Sequence, residues 1–441
     1  MLNRIVSPLV RLFVRYMPDA LVVAILLWLL TMLLAVALTG TSPIAAIEAW
    51  GDGFWNLLTF TNQITLTLLF GYAFANTAPV RAMLLKIAGL ARTARAAYVL
   101  ACVVTGLLAL FSWGLSLIAA GIMARALGEA CRKRGVRVHY PLLVASAFSG
   151  FVIWHQGLSA SIGLTLATPG HFLEGLVGII PASETIFTFW NFAVALIVLV
   201  TLPLVMSALH PADEDIEEME LDEDEAARPA SAKPAKTPAQ WLERSTWLAL
   251  TVVVAGAIYL WIHYGERGRG LELNILNFTF LLVGLLLAGS ALRYAEIIMD
   301  GGRVAAPFLL QYPFYAGIAG LMATSGLARM VVELFVSVSN AETLPLFGLL
   351  SGGLLNLFVP SGGGQWAVQG PIMMAAAQEI GADLPRVAMS VAFGDQWTNL
   401  IQPLALLPVL AIARIGVAKI MGYTFIALFW TGSIFALALL F

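Results

Sequence analysis

Seven apolar stretches limit what this chain can fold into: residues 20–39, 54–76, 186–208, 245–263, 271–291, 305–323 and 421–441. Each is close to the roughly 20 residues a helix needs to cross the hydrocarbon of a bilayer. Hydrocarbon offers the backbone no hydrogen-bond partner, so such stretches must be helical. Charge is scarce as well, at 11% of the 441 residues, where soluble domains carry about a quarter. So few charges cannot cover a water-facing surface. That excludes a soluble enzyme, a disordered chain and a nucleic-acid binder, and leaves an all-α polytopic membrane protein. The stretch 20–39 is of full span length with no small-x-small site after it, so it is expected to be a retained span rather than a leader.

Four further apolar regions are interrupted. Residues 140–168 and 386–410 contain polar clusters, and 96–128 and 343–379 contain small, polar turns near their middles. Orientation follows the Lys/Arg bias of short loops. Arg4, Arg11 and Arg15 place the N-terminus in the cytoplasm. The basic loops on either side of 96–128 (Arg81 to Arg95, then Arg132 to Arg137) are then both cytoplasmic. That region is expected to be a re-entrant hairpin opening inward, although two short spans would also satisfy the parity. The same counting opens the hairpin at 343–379 outward and leaves the C-terminus periplasmic. About nine transmembrane helices, two hairpins and two broken helices result. Ten of the 26 acidic residues fall between Asp213 and Glu225. Segment 210–243, acidic and then Ala/Pro-rich, has little to bury and is expected to be a mobile cytoplasmic linker.

The two halves resemble each other at an offset near 248 residues. Gln63 falls on Gln311, Thr77 on Ser325, Arg81 on Arg329, and GLLALFSWG on GLLNLFVPS. By the parity above, matched elements run in opposite directions. The chain thus divides into a first inverted repeat (1–209), the linker (210–243), a connecting helix (244–270) and a second repeat (271–441). Inverted repeats with broken helices characterise secondary transporters, whose sites lie near the midplane between half-helix ends.

The breaks supply the candidate site. One hairpin tip carries Ser112, Trp113, Gly114 and Ser116; the other carries Ser361, Gly362, Gly363, Gly364, Gln365 and Trp366. The glycine triplet permits positive φ and close approach of backbone to ligand. The first broken helix carries Trp154, His155, Gln156 and Ser159, and the second Asp395, Gln396, Trp397, Thr398, Asn399 and Gln402. Polar groups within the membrane are costly, so function is their default reading. Asp395, the one carboxylate near a span centre, with Gln396 and Gln402, is the candidate for coupling to a driving cation, Na⁺ or H⁺. His155 can titrate or donate. With no Lys or Arg at any break, an anion would be held by helix N-termini and neutral donors, which suits one carboxylate. Trp113, Trp154, Trp366 and Trp397 each sit at a different break and could wall a pocket for an alkyl tail.

Enzyme chemistry finds little support. The five histidines are scattered, HExxH and GxSxG are absent, and two cysteines, Cys102 and Cys131, give neither a disulfide framework nor a metal spacing. No cofactor and no certain metal site are expected.

WGDGFWNLL from Trp50, PSGGGQW with the following VQGP, and GDQW with its Thr-Asn and Gln-Pro together resemble the bacterial short-chain fatty acid transporter family, its acetoacetate/butyrate permeases above all. The resemblance runs through nearly the whole chain except 210–243. It implies uptake of short-chain monocarboxylates across the inner membrane. It also implies membership in the ion-transporter superfamily, typically homodimers that move a transport domain like an elevator. The Ser-Asn-Thr signature of that superfamily's dicarboxylate members is absent from both tips, so their ligands do not carry over. A dicarboxylate or another small anion remains the alternative substrate.

Overall fold

The computed structural model describes residues 18–219 and 237–440, and every regular element among them is helical. The first half opens with α1 (Ala20–Thr39), α2 (Pro43–Gly53), α3 (Leu58–Asn76) and α4 (Ala78–Ala88). The tip pair α5 (Ala94–Phe111) and α6 (Trp113–Lys133) follows. Next come α7 (Tyr140–Ser149), a 3-10 turn at Gly150–Gln156, α8 (Ser161–Ala167) and α9 (Phe189–Ala208). After α10 (Thr246–Trp261), the second half runs α11 (Leu273–Ala288), α12 (Ala291–Ser325), α13 (Leu327–Val338), α14 (Leu344–Asn356), α15 (Gly362–Ile380), α16 (Leu384–Thr398), α17 (Pro403–Ala413) and α18 (Val417–Leu440). Among the described residues, eight helices are long and apolar enough to cross a membrane, and α2 with α3, bent by 52°, forms a possible ninth span.

Burial sorts these helices. The span from α7 to α8 is 94% buried, whereas α1 and α10 keep only 22% and 17% of their windows inside. Lipid is as apolar as leucine, so outer helices need not hide Leu33, Phe192 or Trp247, all exposed. The core instead encloses the interrupted helices, whose freed backbone groups must find partners away from lipid.

Both breaks expected in the long polar-bearing spans are present. The first helix loosens to 3-10 geometry and stops at Gln156, then restarts at Ser161; the second stops at Thr398 and restarts at Pro403. The two tips are built alike. Ser112 (φ −154°, ψ 120°) caps α6 through Leu115 N, and Ser361 (φ −158°, ψ 111°) caps α15 through Gly364 N. An extended N-cap serine satisfies a helix-start N–H in both.

Several features differ from the sequence reading. At 18 and 21 residues, α5 and α6 are each long enough for a full crossing, whereas α14 has 13. Helix α12 runs for 35 residues, beginning 14 before the expected span at 305–323. Its charged first turns place Arg293 and Glu296 on an exposed face, paired at 3.2 Å. Amphipathic α4 and α13 lie in stretches with too few consecutive apolar residues to read as spans. The acidic segment is also docked where it is described. Glu217 N donates to His139 Nδ1 at 3.0 Å, Tyr140 N donates to Glu217 O at 2.8 Å, and Lys419 pairs with Glu217 at 2.7 Å. Arg137 pairs with Glu218 at 3.1 Å, and Met219 is buried. Residues 220–236 of the expected linker, and the N-terminal arginines, lie outside the described residues.

Candidate binding site

A cavity of about 330 Å³ lies where the two halves meet. Its inner wall is the second tip, with Pro360, Ser361, Gly362 and Gly363. Trp113, Phe151, Trp154 and Ser161 of the first half face it, joined by Asn399 from the second break. Helix α12 supplies Arg303, Pro307, Phe308, Gln311 and Tyr312, and Asp19 lines it from the start of α1.

The glycine triplet matters by closeness. None of Gly362, Gly363 and Gly364 has a positive φ; all three lie in the first helical turn of α15. A methyl group on Gly362 would come within 2.5 Å of His155 Nε2 and 2.7 Å of Ser161 Oγ. On Gly363 it would meet the Tyr312 hydroxyl at 2.7 Å, and on Gly364 the Tyr315 ring at 2.8 Å. The missing side chains let the helix start press against donors from three other elements. Tyr312 holds the cap in place, its hydroxyl 2.6 Å from Ser361 Oγ.

Behind Gly362 lies a buried pair. His155 Nε2 is 3.1 Å from Asp395 Oδ2, and both side chains are inaccessible to solvent. Trp154 stacks on His155 with centroids 3.6 Å apart, between the pair and the cavity. The two broken helices are stitched together around it. His155 N donates to Gln396 Oε1 at 2.9 Å, and Gln396 Nε2 donates to Gln156 Oε1 at 3.3 Å. Among the described residues, His155 Nδ1 and Asp395 Oδ1 have no partner. Nor do Trp113 Nε1, Trp154 Nε1 and Ser161 Oγ, on residues that line the cavity. Buried polar groups are nearly always satisfied, so these unpartnered groups make the cavity a candidate site for a polar guest.

Other residues singled out in the sequence lie off the cavity. Ser112 and Ser116 are buried within the first tip, Ser116 donating to Thr105 O at 2.8 Å. Gly114 packs on α3, where a methyl group would meet Leu68 O at 3.0 Å. Ser159 accepts from Trp113 N at 2.9 Å. Gln365 donates to Gly352 O and to Gln369, each at 3.0 Å. Thr398 donates to Gly353 O at 2.9 Å, and Gln402 caps α17 by accepting from Ala405 N at 3.0 Å. Two of the four tryptophans, Trp113 and Trp154, reach the cavity, with centroids 5.8 Å apart. Trp366 is buried in a separate apolar cluster beside Leu173. Trp397 donates to Leu428 O at 2.7 Å and lies against Gly432 and Gly353. Sequence reading missed Arg303 and Tyr312, whose helix carries them to the cavity from outside any break. The signal available was the alignment of Gln63 with Gln311, one residue before Tyr312.

The sequence profile of short chain fatty acid transporters matches residues 1–441. The chain belongs to the short-chain fatty acid transporter family. A protein of Escherichia coli (strain K12), provisionally named as such a transporter, is 37% identical over 441 residues, covering 100% of this chain and 99% of that one. One from Haemophilus influenzae, named in the same way, is 35% identical over 451 residues and covers both chains completely. Two solved structures share the fold. The Alcanivorax borkumensis YdaH transporter superposes with a TM-score of 0.60 at 14% identity, covering 96% of this chain and 98% of its own. Neisseria gonorrhoeae MtrF, which represents a class of antimetabolite efflux pumps, gives 0.54 at 15% identity, covering 96% and 94%. This member of the short-chain fatty acid transporter family is thus an all-helical, multi-pass membrane transporter and not an enzyme.

Proposed function

We propose that the protein is a secondary active transporter of short-chain monocarboxylates such as butyrate and acetoacetate, driven by Na⁺ or H⁺. The observation that carries this reading is the set of donors on the residues that line the cavity. Gly362 and Gly363 line the cavity in the first turn of α15, where N–H groups have no intrahelical partner. The cavity-lining residues Trp113, Trp154 and Ser161 add buried indole N–H and hydroxyl groups that have no partner among the described residues. Helix N-termini favour anions, and the inner wall is neutral, which matches one carboxylate. Pro307, Phe308 and Phe151 offer apolar surface for a short alkyl tail. The cavity lies at the lower end of the range typical of small-molecule sites.

Asp395 is the coupling residue in this reading, since it lies one side chain behind the cavity wall and contacts His155 from the other half. Two inverted repeats, an inner-membrane location with a cytoplasmic N-terminus and a periplasmic C-terminus, a homodimer and an elevator movement complete the proposal. The matched caps at Ser112 and Ser361 support the repeats. The test is uptake of labelled butyrate into proteoliposomes under imposed Na⁺ or pH gradients. Saturable, gradient-driven uptake is expected. Its absence under every gradient sinks the proposal, and stronger competition by succinate than by acetoacetate redirects it to dicarboxylates.

A further inference from the structure

We propose that Arg303 recruits the substrate carboxylate: it draws the anion to the cavity mouth, ahead of the donors around Ser361. The inference rests on the transport reading above and adds a residue, and a step, that the breaks alone do not contain.

Helix geometry places Arg303. Arg303, Pro307, Phe308, Gln311 and Tyr312 all line the cavity from α12. Arg303, Pro307 and Gln311 repeat every four residues along one stripe, and Phe308 and Tyr312, also four apart, run beside it. At about 1.5 Å of rise per residue, Arg303 and Tyr312 are separated by about 13 Å along the axis. Tyr312 touches the Ser361 cap, so the stripe leads from the deep donors to Arg303 at its far end. That separation puts the guanidinium away from a carboxylate held at the tip and suits it to an earlier contact.

Arg303 is also free to act. It is exposed, and among the described residues it makes no ion pair. Arg293 on the same helix, by contrast, is paired with Glu296, and Arg329 with Glu333 and Glu379. Asp300, one turn before Arg303, lies within electrostatic range of Tyr72. Asp19 is the other charged residue lining the cavity. Its carboxylate caps α1, with Oδ1 accepting from Leu21 N at 2.9 Å. An unpaired guanidinium at the end of an apolar-walled cleft focuses its field along the cleft and raises the local concentration of anions.

A rival role for the same residue is anchoring α12 to lipid headgroups. Butyrate uptake by proteoliposomes containing Arg303→Gln, Arg303→Lys or the unaltered protein, at low and high ionic strength, separates the two. Arg303→Gln is expected to raise KM about five- to tenfold at low salt with little change in Vmax, because steering acts on association. Screening should shrink that difference to below about twofold in high salt. Arg303→Lys keeps the charge, and steering depends on charge rather than on the shape of the donor group, so it should stay within about twofold of the unaltered protein. An unchanged KM in Arg303→Gln, or a loss confined to Vmax and indifferent to salt, overturns the proposal. Failure of the unaltered protein to take up butyrate would count against the transport reading itself.

Discussion

The two helix tips have nearly the same backbone and opposite surroundings. Ser112 and Ser361 share φ and ψ within about ten degrees, and each caps the helix that follows. Yet the first tip, apart from the Trp113 side chain that reaches the cavity, is packed against its own half. Trp113 N is bonded to Ser159, Ser116 to Thr105 O, and Leu158 N to Leu110 O at 2.7 Å. The second tip opens onto a cavity, its serine shared with Tyr312 and its glycines against His155 and Ser161. A cap therefore borders a cavity only where the neighbouring packing leaves room beside it. Local sequence sets the cap, and distant helices decide its use.

The sharpest way to break this contrast is at the second half's carboxylate. Asp395→Asn keeps the size of the side chain and a hydrogen-bonding contact to His155 but removes the charge. Gradient-driven accumulation of butyrate should be abolished, while exchange of labelled for unlabelled butyrate persists. Accumulation at the normal level would remove Asp395 from coupling.

A paired substitution at the caps asks the question directly. Ser361→Ala should raise KM for butyrate several-fold, since it frees Tyr312 and loosens the α15 start. Ser112→Ala should act on stability, by about 1 kcal/mol for a lost cap, read as a lower midpoint in thermal unfolding in detergent. Equal KM effects from the two variants would erase the distinction between the tips.

The smallest expected effect lies at the docked acidic segment. Burial holds His139 below the ordinary imidazole value, with Glu217 and Asp215 opposing that shift and His210 and Lys419 adding to it. Nδ1 accepts from Glu217 N, and Tyr98 and Tyr423 place their hydroxyls at 3.0 Å from His139 N and Nε2 respectively. A depressed histidine contributes stability that is present above its unfolded value, about 6.5, and is lost as pH falls below it. Amide exchange around residues 213–219 should therefore quicken modestly as pH drops from 7 toward 5. Exchange that slows over that range, after correction for the intrinsic rate, would contradict the docking.

The sequence showed much of this because lipid leaves few choices. The expected span at 20–39 is α1 residue for residue, and both long polar-bearing spans break where their polar clusters lie. Charged amphipathic helices were harder to see. The start of α12 has no apolar run, and its Arg293–Glu296 face resembles a loop. The site was legible in part. Gly362, Ser361, Trp154 and Asn399 were visible as polar or small residues where none is cheap. Arg303 and Tyr312 were not, because only tertiary packing turns their face of α12 toward the cavity. Nor does periodicity reveal that Trp366 and Trp397 pack elsewhere.

The glycines at the start of α15 have one more consequence. Glycine costs a helix interior about 1 kcal/mol relative to alanine; at the first turn the cost is smaller, but three together still leave that turn less stable than an ordinary start. Tyr312, the Ser361 cap and whatever binds the free N–H groups must make up the difference. In the proposed reading, a carboxylate arriving there would complete the turn of helix that holds it, so that occupancy of the site and order of the tip would rise and fall together.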